Sequence, residues 1–229
     1  MNKQLSKLFY IFLLLSLPFV AGCSALLSKQ PLQMTYYSLE SSQAQSLEQL
    51  SPSSNLKSPT LIINMPKANA GFDTRRMMYT RLSHQLEYFA KNEWIDTPAR
   101  MLQPLLVSAI EKTASFNAVL PKYGSVKSDI RLESEIVQLI QIFNTKPSLR
   151  ESSLRESSKV QFTLRATIID NATNKVILHH EFNEVVDAES DDPVGGVIAA
   201  NLAVNKALEK LSIFCQQAAI AWQTPKSNF

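Results

Sequence analysis

The distribution of apolar and polar residues predicts three long strands in the second half of the chain. The segment 160–168 alternates most regularly, with Val160, Phe162 and Leu164 on one face. The segment 129–136 also alternates, and its phase changes near Ile136-Val137, which indicates either a β-bulge or a strand buried on both faces further along. The segment 175–186 follows across the turn "DNATN". Three such strands in succession predict an antiparallel meander.

Shorter apolar runs predict four more strands in the first half of the chain. They are Met34–Leu39, Thr60–Met65, Phe72–Tyr79 and Leu86–Phe89. The segment 41–59 shows no periodicity, so we expect a polar loop there. Residues 145–159 predict a variable hairpin loop that contains the duplication "LRESSLRESS". A tolerated expansion at an exposed loop tip is the favoured interpretation of this repeat, and a partner-binding finger is the alternative.

Two helices are predicted by apolar residues at helical spacing behind a proline. Asp96-Thr97-Pro98 has the residue types of a capped helix start, and the apolar pattern behind it runs as far as Phe116. Pro104 inside this helix predicts a kink or a later start. Asp191-Asp192-Pro193 begins the second helix in the same way. Its predicted apolar stripe consists of Val194, Val197, Ile198, Leu202, Val204, Leu208, Leu211, Cys215, Ala218 and Trp222.

The order of these elements predicts the fold class. Strands, a helix, strands and a helix indicate a single α+β domain, with a mainly antiparallel sheet and two amphipathic helices packed on one face. We place the domain at residues 35–223 and a C-terminal tail at 224–229.

The N-terminal apolar run has the features of a signal peptide that ends at a cysteine. Lys3 and Lys7 precede the apolar segment 8–20, which is too short for a comfortable membrane span. Val20-Ala21-Gly22-Cys23 resembles the bacterial lipobox, in which the cysteine is acylated. We therefore expect residues 1–22 to be removed, Cys23 to carry acyl chains and residues 23–34 to form a tether; a buried cysteine in an ordinary signal segment is the alternative. By analogy with Gram-negative lipoproteins, Ser24 favours export to the outer membrane.

Charge and motif content exclude several classes of function. Removing residues 1–22 takes away two lysines and leaves nearly equal numbers of basic and acidic side chains, which argues against a nucleic-acid partner. The histidines His84, His179 and His180 lack metal-ligand spacing, and no nucleophile elbow, phosphate-binding loop or dinucleotide motif occurs. We expect no enzyme activity, no metal and no cofactor.

Three further features have ordinary interpretations. The cluster Glu189, Asp191 and Asp192 is typical of a helix N-terminus rather than of a catalytic site. The pair Gly195-Gly196 predicts flexibility in the first turn of the last helix. Cys215 lies on the apolar helix face, where packing is the expected role and intermolecular pairing the alternative.

The motifs in their order resemble one family, the auxiliary lipoproteins of ABC-type transporters, which includes the paraquat-inducible protein C group. The resemblance rests on the lipobox Cys23, on "YYSL", on Arg76-Met77-Met78-Tyr79 and on "LEYFAKNEWIDTPARMLQPLLVSAIEKTASF" from Leu86 to Phe116. The later strand and helix pattern also fits, so the resemblance covers nearly the whole mature chain. The doubled "LRESS" departs from it.

The resemblance implies a periplasm-facing outer-membrane lipoprotein that serves as a docking component of an MCE-type transport system. The implied partners are an MCE-domain protein, an inner-membrane permease and an ATPase, which together move lipids between membranes; a homo-oligomer is also open. The alternative is a stand-alone lipoprotein of envelope maintenance or outer-membrane assembly. The residues that we expect to contact a partner or lipid are Arg75, Arg76, Tyr79, Tyr88 and Trp94. Core packing is the alternative for these aromatics, and a solvated strand face is the alternative for the arginines.

Overall fold

The fold is taken from a computed structural model that describes residues 33–41, 58–122, 126–143 and 158–224. Several predicted features lie outside the described residues. They are the signal peptide, Cys23, Ser24, most of the loop 41–59, the "LRESS" repeat apart from Ser158, and residues 225–229. The compact unit that carries the described helices and strands begins at Thr35.

Nine strands and two helices make up the described part of the chain. The strands are β1 (Thr35–Tyr37), β2 (Thr60–Ile63), β3 (Lys67–Ala68), β4 (Arg76–Thr80), β5 (Glu87–Trp94), β6 (Ala118–Pro121), β7 (Ile130–Ile142), β8 (Lys159–Asp170) and β9 (Val176–Asp187). The helices are α1 (Pro98–Glu111) and α2 (Pro193–Gln223). The short strands β3 and β6 were not predicted. They have two and four residues, which are too few to show an alternating pattern of apolar and polar residues.

The predicted α+β fold is confirmed, and β7 is the centre of its sheet. On one edge β7 pairs antiparallel with β8, and β8 pairs antiparallel with β9, which confirms the meander. The predicted bulge is also present, because the register of β7 against β8 shifts between Ile136 and Gln138. On its other edge β7 pairs in parallel with β2, β3 and β4 in turn. The long ladders are antiparallel, and the parallel pairs are short.

Both helices pack on this sheet and contact each other. α1 lies against β6 and β2, whereas α2 lies against β8 and β9. The hydroxyl of Ser212 on α2 donates a hydrogen bond to the carbonyl of Ala109 on α1 at 3.1 Å. The largest fully buried side chains are Phe162, Leu61, Ile63, Leu102, Leu106, Ile110, Ile130, Leu132, Ile136, Leu164, Ile168 and Leu211. None of the helices within the described ranges has the length and apolar content of a membrane span.

The first helix begins where the sequence predicts but ends sooner. The expected side-chain cap is absent, because Thr97 caps no backbone group and Asp96 Oδ1 instead accepts from the Thr97 amide at 2.7 Å. Pro104 lies within the continuous helix, and so it does not delay the start. The prediction that the helix reaches Phe116 is wrong: it ends at Glu111, and Ala114 has a positive φ of 50° that no helix accommodates.

The face that α2 turns to the sheet differs from the predicted stripe at its N-terminal end. Val194, Ile198 and Leu202 are 50, 39 and 45% exposed. The buried residues there are small instead: Gly195, Gly196, Ala199, Ala200 and Ala203. A long helix can approach a sheet closely only through small side chains, and here that requirement outweighs the burial of larger ones. Further along, Leu208, Leu211 and the free Cys215 are buried as predicted, and burial raises the pKa of the Cys215 thiol.

The two glycines at the start of α2 are sites of close packing. A Cβ on Gly195 would collide with the backbone of Ser190, and one on Gly196 would collide with the side chain of Gln141. Gln141 is itself buried, and its Nε2 donates to Ser158 Oγ at 2.8 Å and to the carbonyl of Asp192 at 3.2 Å. The end of β7, the residue before β8 and the start of α2 thereby meet at one polar cluster.

Gly195→Ala should therefore destabilise the protein, although alanine normally favours a helix over glycine by about 1 kcal/mol. The added methyl group must displace the backbone of Ser190, and overpacking of this kind costs about 1–3 kcal/mol. Urea denaturation of the wild type and the variant measures the difference in unfolding free energy. Gln216→Ala, at an exposed position of the same helix, is the control and should change that free energy by less than about 0.5 kcal/mol. A more stable Gly195→Ala protein would contradict the packing described.

The Asp192 cap predicts a specific pH dependence of stability. Its Oδ1 accepts from the Gly195 amide at 2.8 Å and from Ser190 Oγ at 2.9 Å, and these hydrogen bonds hold the pKa of Asp192 below its usual value. Because the folded pKa is the lower one, the stabilisation is complete above the unfolded pKa of about 3.9 and disappears as pH falls through the folded value. Asp192→Asn keeps the cap acceptor but cannot ionise. The melting temperatures of the wild type and of Asp192→Asn are measured as a function of pH, and the difference between them should become smaller as the pH falls. If the two plots of melting temperature against pH stay parallel, Asp192 does not cap the helix as an ionised side chain.

Candidate functional site

The candidate site lies on three neighbouring strands, in the order β1, β5, β4. Tyr36 of β1 and Arg76 of β4 are both paired with Glu93 of β5. Directly opposed residues point to the same face of a sheet, so these three side chains share a face. The next residue, Trp94, is buried and points to the other face, toward the helices.

Two exposed arginine–tyrosine pairs occupy this outer face. The guanidinium carbon of Arg75 lies 5.3 Å from the ring centroid of Tyr36, and that of Arg76 lies 4.2 Å from the ring centroid of Tyr88. Both tyrosines are 48% exposed. Each pair is within the range of a cation–π interaction, which holds a flexible arginine in place while leaving its N–H groups accessible. We call Tyr36, Arg75, Arg76 and Tyr88 the outer patch.

The two arginines differ in how far their charge is balanced. Arg75 Nε donates to the carbonyl of Trp94 at 3.2 Å, and its terminal nitrogen lies 3.9 Å from a carboxylate oxygen of Glu93. Arg76 has no carboxylate within 4.0 Å among the described residues. The outer patch therefore presents one partly balanced and one unbalanced guanidinium group, a suitable arrangement for binding a carboxylate or a phosphate.

The remaining predicted residues, Tyr79 and Trp94, are in the interior. They are only 8 and 4% exposed. The ring of Tyr79 packs against Phe89 with centroids 4.5 Å apart, and its hydroxyl donates to Glu87 at 2.9 Å. Burial and this hydrogen bond raise the pKa of Tyr79 above its usual value near 10, so the phenol stays protonated. These two residues support the strands from within, and the surface available to a partner comes from Arg75, Arg76 and Tyr88.

Tyr36 and Glu93 complete the site, and neither was singled out from the sequence. Tyr36 belongs to the "YYSL" motif, and this motif could have identified it as a site residue. The parallel pairing of β1 with β5 brings it beside Arg75, but the two strands are far apart in sequence and β1 has only three residues. No local pattern specifies such a pairing.

A cavity of about 20 Å³ lies behind the outer patch among Met77, Trp94, Leu139 and Gly196, and it has room for about one water molecule. A larger groove of about 560 Å³ runs along α1 beside Met65 and Pro121. Within the described residues, no group of histidine, cysteine and carboxylate side chains is placed to hold a metal ion.

Comparison with known proteins gives the fold. No protein-family model and no curated protein matches the chain. A solved Xanthomonas campestris protein of family DUF330 is similar over 80% of this chain and 95% of its own, with a TM-score of 0.65 and 16% identity. An uncharacterised protein is similar over 80% of this chain and 99% of its own, with a TM-score of 0.56 and 11% identity. A minor lipoprotein from Acinetobacter baumannii matches at a TM-score of only 0.38 and 9% identity, over 69% of this chain and 92% of its own. This chain thus has the fold of the DUF330 protein.

Proposed function

We propose that the protein is a lipoprotein anchored through acyl chains on Cys23 in the periplasmic leaflet of the outer membrane. There it acts, without catalysis of its own, as an auxiliary docking component of an MCE-type ABC transport system. The lipobox supports the anchor, because it makes Cys23 the expected site of acylation. Stable membrane attachment needs about two acyl chains, or one chain and a second membrane-binding feature, and several chains on Cys23 would exceed that need.

One observation carries the docking role. The motifs on which the family resemblance rests are separated along the chain, yet "YYSL", Arg76-Met77-Met78-Tyr79 and the aromatic strand before α1 assemble into β1, β4 and β5. Core packing accounts for Tyr79 and Trp94, but it does not account for Arg75, Arg76, Tyr36 and Tyr88, which are exposed. The fold brings these separate motifs together on neighbouring strands, and their exposed side chains form one surface. Such a surface is typical of a binding site. The same region ends at β1, an edge strand whose outer backbone groups lack a neighbouring strand in the described residues.

Genetic interaction with the transporter tests this function. We expect a strain that lacks the protein, a strain that lacks the MCE-domain component and the double deletion to be equally sensitive to detergents that attack the outer membrane. Equal sensitivity means that both act in one process. If the double deletion is more sensitive than either single deletion, the two act separately, and the stand-alone envelope lipoprotein becomes the better account. Restoring the protein from a plasmid is the control for polar effects on neighbouring genes.

A further inference from the structure

We infer that the groove along α1 binds an extended segment of a partner polypeptide that carries apolar and basic side chains. We call it the α1 groove: Arg100, Gln103, Val107 and Glu111 form its helical wall, and Met65 and Pro121 lie beside them. None of these residues belongs to the outer patch. The inference goes beyond the proposed function, because it depends neither on the acyl anchor nor on the transport partner.

The α1 groove has the dimensions of a short extended peptide. Its lining residues on α1 recur at intervals of three and four from Arg100 to Glu111, so they form one continuous face of the helix. At a rise of about 1.5 Å per residue this face is about 16 Å long, which matches about five residues of extended chain. The groove's volume of about 560 Å³ lies within the roughly 300–1,000 Å³ that is usual for binding clefts.

Gln103 is a buried polar side chain that has no partner. It is only 4% exposed, and its amide forms no hydrogen bond within the described part of the chain. Because Gln103 lines the α1 groove, its small remaining exposure is to that groove. A buried amide that stays unpaired lowers the stability of a fold, so packing gives no reason for a glutamine here. A ligand that offers both a donor and an acceptor supplies the missing partner.

Pro104 creates a second unpaired group beside Gln103. Proline has no N–H, so the carbonyl of Arg100, four residues earlier in α1, lacks its usual helical donor. Arg100 and Pro104 both line the groove. Each peptide group carries one N–H and one C=O, so an extended segment can donate to the Arg100 carbonyl and to Gln103 Oε1 and accept from Gln103 Nε2. The hydrogen-bonding groups of the α1 groove therefore match a polypeptide backbone.

The charges of the α1 groove select against a phosphate or an anionic lipid. The positive charge of Arg100 is balanced, because its Nε lies 3.6 Å from a carboxylate oxygen of Asp96. Glu111 has no cationic side chain within 4.0 Å in the described ranges. Phosphates and acyl chains also lack the N–H donors that the unpaired acceptors need. We therefore expect a lysine or arginine of the bound segment beside Glu111, and apolar side chains against Met65 and Val107.

Selection from two peptide libraries tests this site. The probes are acetylated and amidated heptapeptides, built from apolar residues and lysine in one library and from apolar residues and glutamate in the other. The full-length protein is immobilised in detergent, the retained peptides are identified by mass spectrometry, and the dissociation constant of the best one is measured by fluorescence anisotropy. We expect only the lysine library to yield retained peptides, and we expect their binding to weaken at high salt.

Gln103→Leu separates binding from folding. Loss of its hydrogen bonds to the peptide should weaken the binding of the best peptide at least about tenfold. The melting temperature should stay the same or rise, because an unpaired buried amide has been removed. Gln216→Leu makes the same change at an exposed position of α2 and should leave the affinity unchanged. Met65→Ser changes the groove without altering α1, and it should weaken binding at least about threefold.

Four results would overturn the inference. They are retention of no peptide from either library, equal retention from both libraries, an unchanged affinity of the Gln103→Leu variant for the best peptide, and displacement of that peptide by glycerol 3-phosphate. The last comparison is made against sodium chloride of the same ionic strength. Displacement by glycerol 3-phosphate beyond the effect of this salt would show that the groove binds phosphate and not a polypeptide.

Discussion

Replacing Cys23 by alanine should remove the protein from the outer-membrane fraction. A single acyl chain binds a bilayer with a constant of about 10⁴ M⁻¹, and several chains make attachment effectively permanent. Without the thiol no chain can be added, so nearly all of the protein should be lost from the outer-membrane fraction. Fractionation of the envelope on a density gradient, with immunodetection, measures the change.

Two results make the Cys23→Ala experiment specific. Intact-mass spectrometry of the wild type should show a chain that begins at Cys23 and carries acyl groups. Ser24→Ala is the matched control, because it alters the adjacent residue without removing the thiol, and it should stay acylated and membrane-bound. If the Cys23→Ala protein remains in the outer-membrane fraction in wild-type amounts, the proposed anchor is wrong. The fold of the domain from Thr35 onward does not depend on this anchor.

Phe162→Ala should be the most damaging single substitution in the core. Phe162 is fully buried in β8, opposite Leu139 of β7 and Glu184 of β9. Truncating a buried phenylalanine costs about 3–5 kcal/mol, because apolar contact is lost and a cavity remains. That loss is a large part of the roughly 5–15 kcal/mol that stabilises a typical domain.

Denaturation by urea gives the unfolding free energy of the wild type and of the Phe162→Ala variant. Val185→Ala is the matched control on β9, since Val185 is 48% exposed, and it should cost less than about 1 kcal/mol. The slope of free energy against urea concentration should be similar in all three proteins, which shows that the same surface unfolds. A loss below about 1 kcal/mol for Phe162→Ala would mean that the meander is not packed as described.

The sequence predicts those parts of the fold that have a long local period. The meander was predictable because β7, β8 and β9 each alternate over many residues, and the phase change at Ile136-Val137 marks a bulge that the register confirms. Asp192 before Pro193 marks the start of α2, and its side chain does cap the helix. These features depend on neighbours in the sequence, which is why one sequence suffices to find them.

Other features depend on contacts that no local pattern encodes. The parallel pairings of β7 with β2, β3 and β4 involve strands of two to five residues, which are too short to specify a direction. The buried face of α2 follows from the close approach at Gly196, and so the larger Val194 and Ile198 are left exposed. At the candidate site the sequence identified Arg75, Arg76 and Tyr88, but exposure is what separates them from the buried Tyr79 and Trp94.

The most direct test of the proposed function is affinity capture of the tagged protein from detergent-solubilised envelopes, followed by mass spectrometry of its partners. We predict that the wild type recovers an MCE-domain protein together with its permease and ATPase. The Cys23→Ala protein, which should be absent from the outer membrane, should recover them in much smaller amounts. Recovery of outer-membrane assembly factors alone, or of no partner at good yield with membrane anchoring of the wild type verified, would contradict the docking role.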